Sequence, residues 1–176
     1  MPSRFWPRAY SLTLAAGAMT ASSRRHAPTE VRRLLVVHNL LLGDTLMLAP
    51  LLKKARKRFP KAEIVLACPP AYLPLFAGRP YGASAVPLDP RSLEQHAAIR
   101  RLGPFDLAVV PGDNRWSWLA RAAGARWIVA LAPDERSYKD WPVDEMRPMP
   151  GEPAAWGDIA ASLLDGPAPD PYSPNK

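Results

Sequence analysis

The chain has 176 residues, enough for one domain with a sizeable core and too few for two large ones. Apolar residues make up 48%, which excludes a wholly disordered chain, and no segment reaches the roughly 20 consecutive apolar residues of a membrane span. An excess of 23 Lys and Arg over 16 Asp and Glu gives a net charge of +7, favouring phosphate-bearing partners, anionic lipid or nucleic acid without choosing among them.

Residues 1–31 read as a basic leader outside the core, a flexible or membrane-surface arm. Phe5, Trp6 and Tyr10 would be its interfacial anchors among arginines. Ala16-Gly17-Ala18 also imitates a signal-peptide cleavage site, although the apolar run around it is weak and broken by polar residues. From residue 32 the chain alternates strands and helices. Leu34-Leu35-Val36-Val37 has the length and β-branched content of a buried parallel strand. It runs through His38-Asn39-Leu40-Leu41-Leu42-Gly43-Asp44 into an amphipathic helix, on which Leu48, Leu51, Leu52 and Ala55 recur at helical spacing. Strands are expected at 64–67, 85–88, 106–110 and 125–131, and helices at 71–77, 93–102 and 116–123. Pro87 argues that the third strand lies at a sheet edge. Prolines crowd the chain beyond Pro133, leaving room for one more helix at 154–164 before a proline-rich tail or linker at 166–176. The order implies an α/β fold over 32–165, a Rossmann-like parallel sheet with helices on both faces.

Ligands of open α/β sheets bind at the carboxyl ends of strands, against helix N-termini. Asp44 stands at such a place. It is either a cap of the following helix or a base able to take a proton from an attacking hydroxyl; the missing Glu or Gln at Met47 leaves a capping box incomplete. A neighbouring strand ends at Pro111-Gly112-Asp113-Asn114-Arg115, where Asp113 or Asn114 would cap a helix and Arg115 would suit a carboxylate or phosphate. The basic helix end at 53–58 reads first as a solvated face complementing the helix dipole, and second as a contact for anionic lipid or phosphorylated sugar. Cys68 follows a strand-like run and reads as a small buried thiol; alone, it excludes an intrachain disulfide. His26, His38 and His96 show no metal-ligand spacing, so no metal is expected. Neither a GxGxxG nor a Walker loop is present, and the aromatic interleaving of single-strand nucleic-acid binders is lacking.

Several segments together resemble the bacterial ADP-heptose:lipopolysaccharide heptosyltransferases, glycosyltransferase family 9. They are Gly43-Asp44 with Pro50 a turn later, Phe59-Pro60-Lys61-Ala62-Glu63-Ile64, Phe105-Asp106-Leu107, and Leu119-Ala120-Arg121 followed by Gly124-Ala125. The match spans residues 32–131. The resemblance implies the N-terminal, acceptor-side half of a GT-B fold and an inverting transfer of a sugar, heptose in the family, with Asp44 as general base. It places Gly43, Asn39, Asn114 and Arg115 around the substrate. The implied partners are a nucleotide-sugar donor, ADP-heptose or another, and a lipopolysaccharide-core-like acceptor, with no cofactor and no nucleic acid. The implied location is cytoplasmic, peripheral at the inner face of the bacterial inner membrane and in contact with its anionic surface. Two departures stand out. Residues 38–42 are more apolar than in family members, and the family's donor-binding half does not follow residue 165. The rival reading is therefore a truncated, non-catalytic Rossmann-like binding module. Catalysis would otherwise need a separate donor-domain chain.

Overall fold

A computed structural model of the chain describes residues 3–21, 25–150 and 152–165; the tail expected at 166–176 lies outside the described residues. Six parallel strands form one sheet in the order β3-β2-β1-β4-β5-β6. They are β1 (Arg33–Val37), β2 (Glu63–Cys68), β3 (Ala83–Pro87), β4 (Leu107–Val110), β5 (Trp127–Leu131) and β6 (Glu145–Arg147). Their near-continuous apolar runs are what a sheet covered on both faces demands. Alternation along each strand divides the core in two. Leu34, Val36, Ile64, Leu66, Leu107 and Val109 point to one face. Leu35, Val37, Val65, Ala67, Ala108 and Val110 point to the other.

The first face is covered by α3 (Ala49–Arg58) and α6 (Trp156–Ser162), through Leu51, Leu52, Ala55, Ile159 and Ala160. The second is covered by α4 (Leu93–Leu102) and α5 (Ser117–Ala122), through Ile99, Leu119 and Ala120. The single helix expected after β1 is divided. A short α2 (Leu42–Leu46) precedes α3, and Pro50 sits within the first turn of α3, where its missing N–H costs no intrahelical bond. The helix expected at 71–77 is a 3-10 segment, Pro70–Phe76, with Pro74 inside it.

Two elements differ from expectation more deeply. Where the sequence suggests an arm outside the core, residues 5–21 form a helix, α1 (Phe5–Ala21), packed on α5 and α4. Its inward stripe is Pro7, Ser11 and Ala15, with Ala15 seated against Trp118 and Ala122. Small residues let the two backbones approach, while the large Phe5 and Trp6 remain outside. The second difference is β6, a sixth strand in the proline-rich stretch. It is short and polar, and it lies at the sheet edge, where one side needs no partner. Pro87 does end an edge strand, β3.

Candidate functional site

The strand order reverses direction between β1 and β4, and the loops leaving these neighbouring strands flank the crevice where α/β sheets bind ligands. The two loops touch. A Cβ on Gly112 would fall 2.8 Å from Leu40 Cδ1, and Gly112 has φ +104°, a conformation glycine adopts freely.

The β1 loop is fixed from below by His38, which is fully buried. Its Nε2 lies 3.0 Å from Thr45 Oγ1, and that hydroxyl donates to the Leu41 carbonyl at 2.9 Å. The His38–Thr45 hydrogen bond and the Thr45–Leu41 contact thus form one chain across the turn. Burial pushes the His38 pKa below its usual value, opposed by the nearby Pro111 carbonyl and the Asp44 charge. His38 thus joins the β1 loop to the start of α2. Asn39 donates to the Leu88 carbonyl at 2.7 Å, tying the same loop to the end of β3.

Asp44 sits in the first turn of α2, whose N-cap residue is Leu41. It is therefore not the helix cap, a place that Leu41 takes. Its half-buried carboxylate has neither a hydrogen bond nor an ion pair among the described residues, although the helix start favours its anion. Gly43 precedes it. A Cβ there would meet nothing within 4 Å, and its φ is one that any residue adopts. Nothing inside the protein requires glycine at this position.

On the β4 loop, Asp113 caps the following turn, accepting from the Arg115 backbone N–H at 3.0 Å, and also ion-pairs with the Arg115 side chain. Asn114 is buried, and its amide donates to the Leu131 carbonyl at 2.9 Å and to Asp140 Oδ1 at 2.7 Å. Both donors hold β4 to the loop after β5, while the Asn114 side-chain oxygen has no hydrogen-bond partner. Arg115 turns towards a cavity beneath α1, whose wall does not include Asn39, Gly43 or Asp44. The structure thus brings the two predicted loops together, and it places Arg115 on a cavity that Asp44 does not line.

The basic end of α3 is largely structural. The Arg56 guanidinium donates to the carbonyls of Pro60, Ala62 and Tyr81, and Arg58 is buried with its guanidinium over Phe59. The sequence reading missed a second buried arginine. Arg121 donates to the carbonyls of Ala125 and Pro142 and pairs with Asp144, which also accepts from Ile128 N–H and from Arg25. Cys68 is fully buried, and burial pushes its thiol up to about 11, so it is not a nucleophile. Among the described residues no His, Cys, Asp and Glu cluster is able to hold a metal, and no helix is long and apolar enough to cross a membrane.

No family model and no curated protein matches the chain. Solved structures do. A glycosyltransferase family 9 protein from Veillonella parvula superposes with a TM-score of 0.64 at 17% identity, over 76% of this chain and 41% of that one. The E. coli heptosyltransferase WaaC with ADP gives a TM-score of 0.60 at 14% identity, over 80% of this chain and 49% of that one. E. coli ADP-heptose LPS heptosyltransferase II gives 0.60 at 20% identity, over 79% and 45%. The chain therefore spans less than half the length of each of these three. At such identities the likeness is one of fold: this is a Rossmann-like α/β unit of the kind that forms half of a GT-B glycosyltransferase.

Proposed function

We propose that this unit is the acceptor-side half of an inverting glycosyltransferase in which Asp44 is the general base. The observation that carries the reading is the state of Asp44. It is a half-buried carboxylate with no partner among the described residues, at the turn where the fold binds ligands. In the proposed step, an acceptor hydroxyl gives its proton to Asp44 as its oxygen attacks the anomeric carbon. A new C–O bond forms on one face of the sugar while the bond to the nucleoside diphosphate breaks on the other, so the configuration inverts. Gly43 supports the reading, since a missing side chain beside the base leaves room for an acceptor to approach.

The donor we propose is a nucleotide sugar, ADP-heptose first, because one similar structure is described as WaaC with ADP-2-deoxy-2-fluoro heptose. The acceptor we propose is a lipopolysaccharide-core-like glycan, met at the inner face of the inner membrane. The donor-binding half of the cleft would come from further polypeptide, either continuous with this unit or in a separate chain.

The test is a transfer assay on the native gene product with ADP-heptose and a Kdo–lipid A acceptor, comparing wild type with Asp44→Asn. Turnover should fall by about 10²–10⁴-fold, the usual contribution of a positioned base. Equal turnover would remove Asp44 from the chemistry. Acceptor binding without any transfer by the wild type would favour a non-catalytic binding module.

A further inference from the structure

Helix α1 does more than cover α5. Between its first turns and the helices and loops that cover the second face lies a cavity of about 350 Å³, at the small end of the range for ligand pockets. Its wall is mostly aromatic and aliphatic, with Phe5 from α1 on one side and Trp116 and Tyr138 on the other. Three cations line it: Arg4, just before α1, Arg8 from α1, and Arg115 from the β4 loop. Arg115 is balanced by Asp113. The guanidinium groups of Arg4 and Arg8 are exposed and have no hydrogen-bond or ion-pair partner among the described residues. Phe5 is 64% exposed and stacks edge-on against Trp6, itself 68% exposed, so the apolar wall continues outward as a ridge.

The inner end of the cavity is built firmly. Ser11 Oγ lies 3.1 Å from His96 Nδ1, a buried contact between α1 and α4, and the His96 ring lies edge-on to Trp116 at 6.0 Å. His96 is 3% exposed, it lines the cavity, and its Nε2 has no hydrogen-bond partner. The carbonyls of Pro7 and Asp89 stand near the ring without closing a bond to that nitrogen. A polar atom left unsatisfied in a buried wall invites a ligand or a water.

We infer that this cavity binds an anionic amphiphile, a phosphate ester carrying an alkyl, acyl or prenyl chain. Arg4 and Arg8 hold the phosphate by charge-assisted hydrogen bonds. The first methylenes of the chain lie against Phe5, Trp116 and Tyr138. The volume admits a headgroup and the start of a chain, with the remainder running out along the Phe5 and Trp6 ridge. The same chemistry is offered by a dispersed lipid phosphate and by an anionic phospholipid in a bilayer. The inference does not depend on transfer chemistry at Asp44, which does not line this cavity.

The experiment is a titration of the full chain with octyl phosphate, read by tryptophan fluorescence, since Trp116 and Trp118 both line the cavity, and by calorimetry. Inorganic phosphate and octyl glucoside serve as controls for the head and the chain alone. Octyl phosphate should bind about tenfold or more tightly than either control. Arg4→Gln/Arg8→Gln should weaken it by at least about tenfold, the effect of losing one charge-assisted bond, with an unchanged unfolding midpoint. Co-sedimentation with phosphatidylcholine vesicles, with and without phosphatidylglycerol, distinguishes the sources. Binding confined to phosphatidylglycerol vesicles and weakened by the double variant supports a bilayer lipid. Binding of dispersed octyl phosphate supports a free one. Failure to bind either probe, or binding undiminished in the double variant, overturns the inference.

Discussion

Arg121 and Asp144 form a buried ion pair, with side chains 4% and 6% exposed, that joins α5 to the start of β6. Asp144 Oδ2 also accepts from the Ile128 N–H at 2.8 Å, so the pair closes on the β5 backbone as well. The Arg121 motif that resembles a glycosyltransferase sequence is thus, in this fold, a clamp on the sheet edge. Removing one partner strands the other in a dry site. Asp144→Ala should therefore cost about 3–5 kcal/mol of stability, measured as a shift of the urea midpoint. A loss below about 1 kcal/mol would show that the Ala125 and Pro142 carbonyls and solvent suffice for Arg121.

Gly112 sets the spacing between the two site loops. With φ +104° and Leu40 Cδ1 2.8 Å from the position of a Cβ, alanine is both strained and crowded. Gly112→Ala should cost about 1–3 kcal/mol and displace the Leu40 loop, lowering any Asp44-dependent transfer with it. Urea unfolding and the transfer assay would read the two effects in the same samples. A variant as stable as wild type would mean that the β4 loop moves freely.

The central strands were legible because their physics is local. Runs such as Leu34-Leu35-Val36-Val37 need only a buried sheet to explain them, and Gly43-Asp44 marks the turn that follows. The packing of α1 was not, since its buried stripe, Pro7-Ser11-Ala15, is neither large nor apolar enough to stand out, while Phe5 and Trp6 face solvent. β6 was hidden for a related reason. Glu145-Met146-Arg147 carries no strand signal and is held by its neighbours, through Asp144 N–H to the Ile128 carbonyl and Ala132 N–H to the Arg147 carbonyl. The buried hydrogen bonds of Asn114 and Arg121 were not legible because a sequence does not show which carbonyls will surround a polar side chain. Their partners, Asp140 and Asp144, lie more than twenty residues away.

The two buried histidines should make the fold acid-sensitive. Burial lowers the pKa of both His38 and His96, against opposing contributions from Asp44 and Pro111 near the first and from Pro7 and Asp89 near the second. The unfolded chain then takes up protons near the ordinary value of about 6.5, before the folded chain does, so stability falls as pH drops below that value. The loss levels off only below the folded-state values. Melting temperatures from neutral pH down to about pH 5 should fall in the wild type, and the slope should be shallower in His96→Gln. An identical slope in the variant would remove His96 from the acid response.

Gly43 separates what the fold needs from what a ligand needs. Its backbone is ordinary and a Cβ there meets nothing, so Gly43→Ala should stabilise the protein by about 0.5–1 kcal/mol, the gain expected when glycine is replaced within a helical turn. If an acceptor approaches Asp44 over this turn, the added methyl stands in its path, and transfer should fall even as the unfolding midpoint rises. The two opposed changes in one variant distinguish a binding surface from a packing position, because a residue important only for packing moves both in the same direction. Higher stability with unchanged transfer would place the acceptor elsewhere on the crevice and leave Asp44 without its proposed approach.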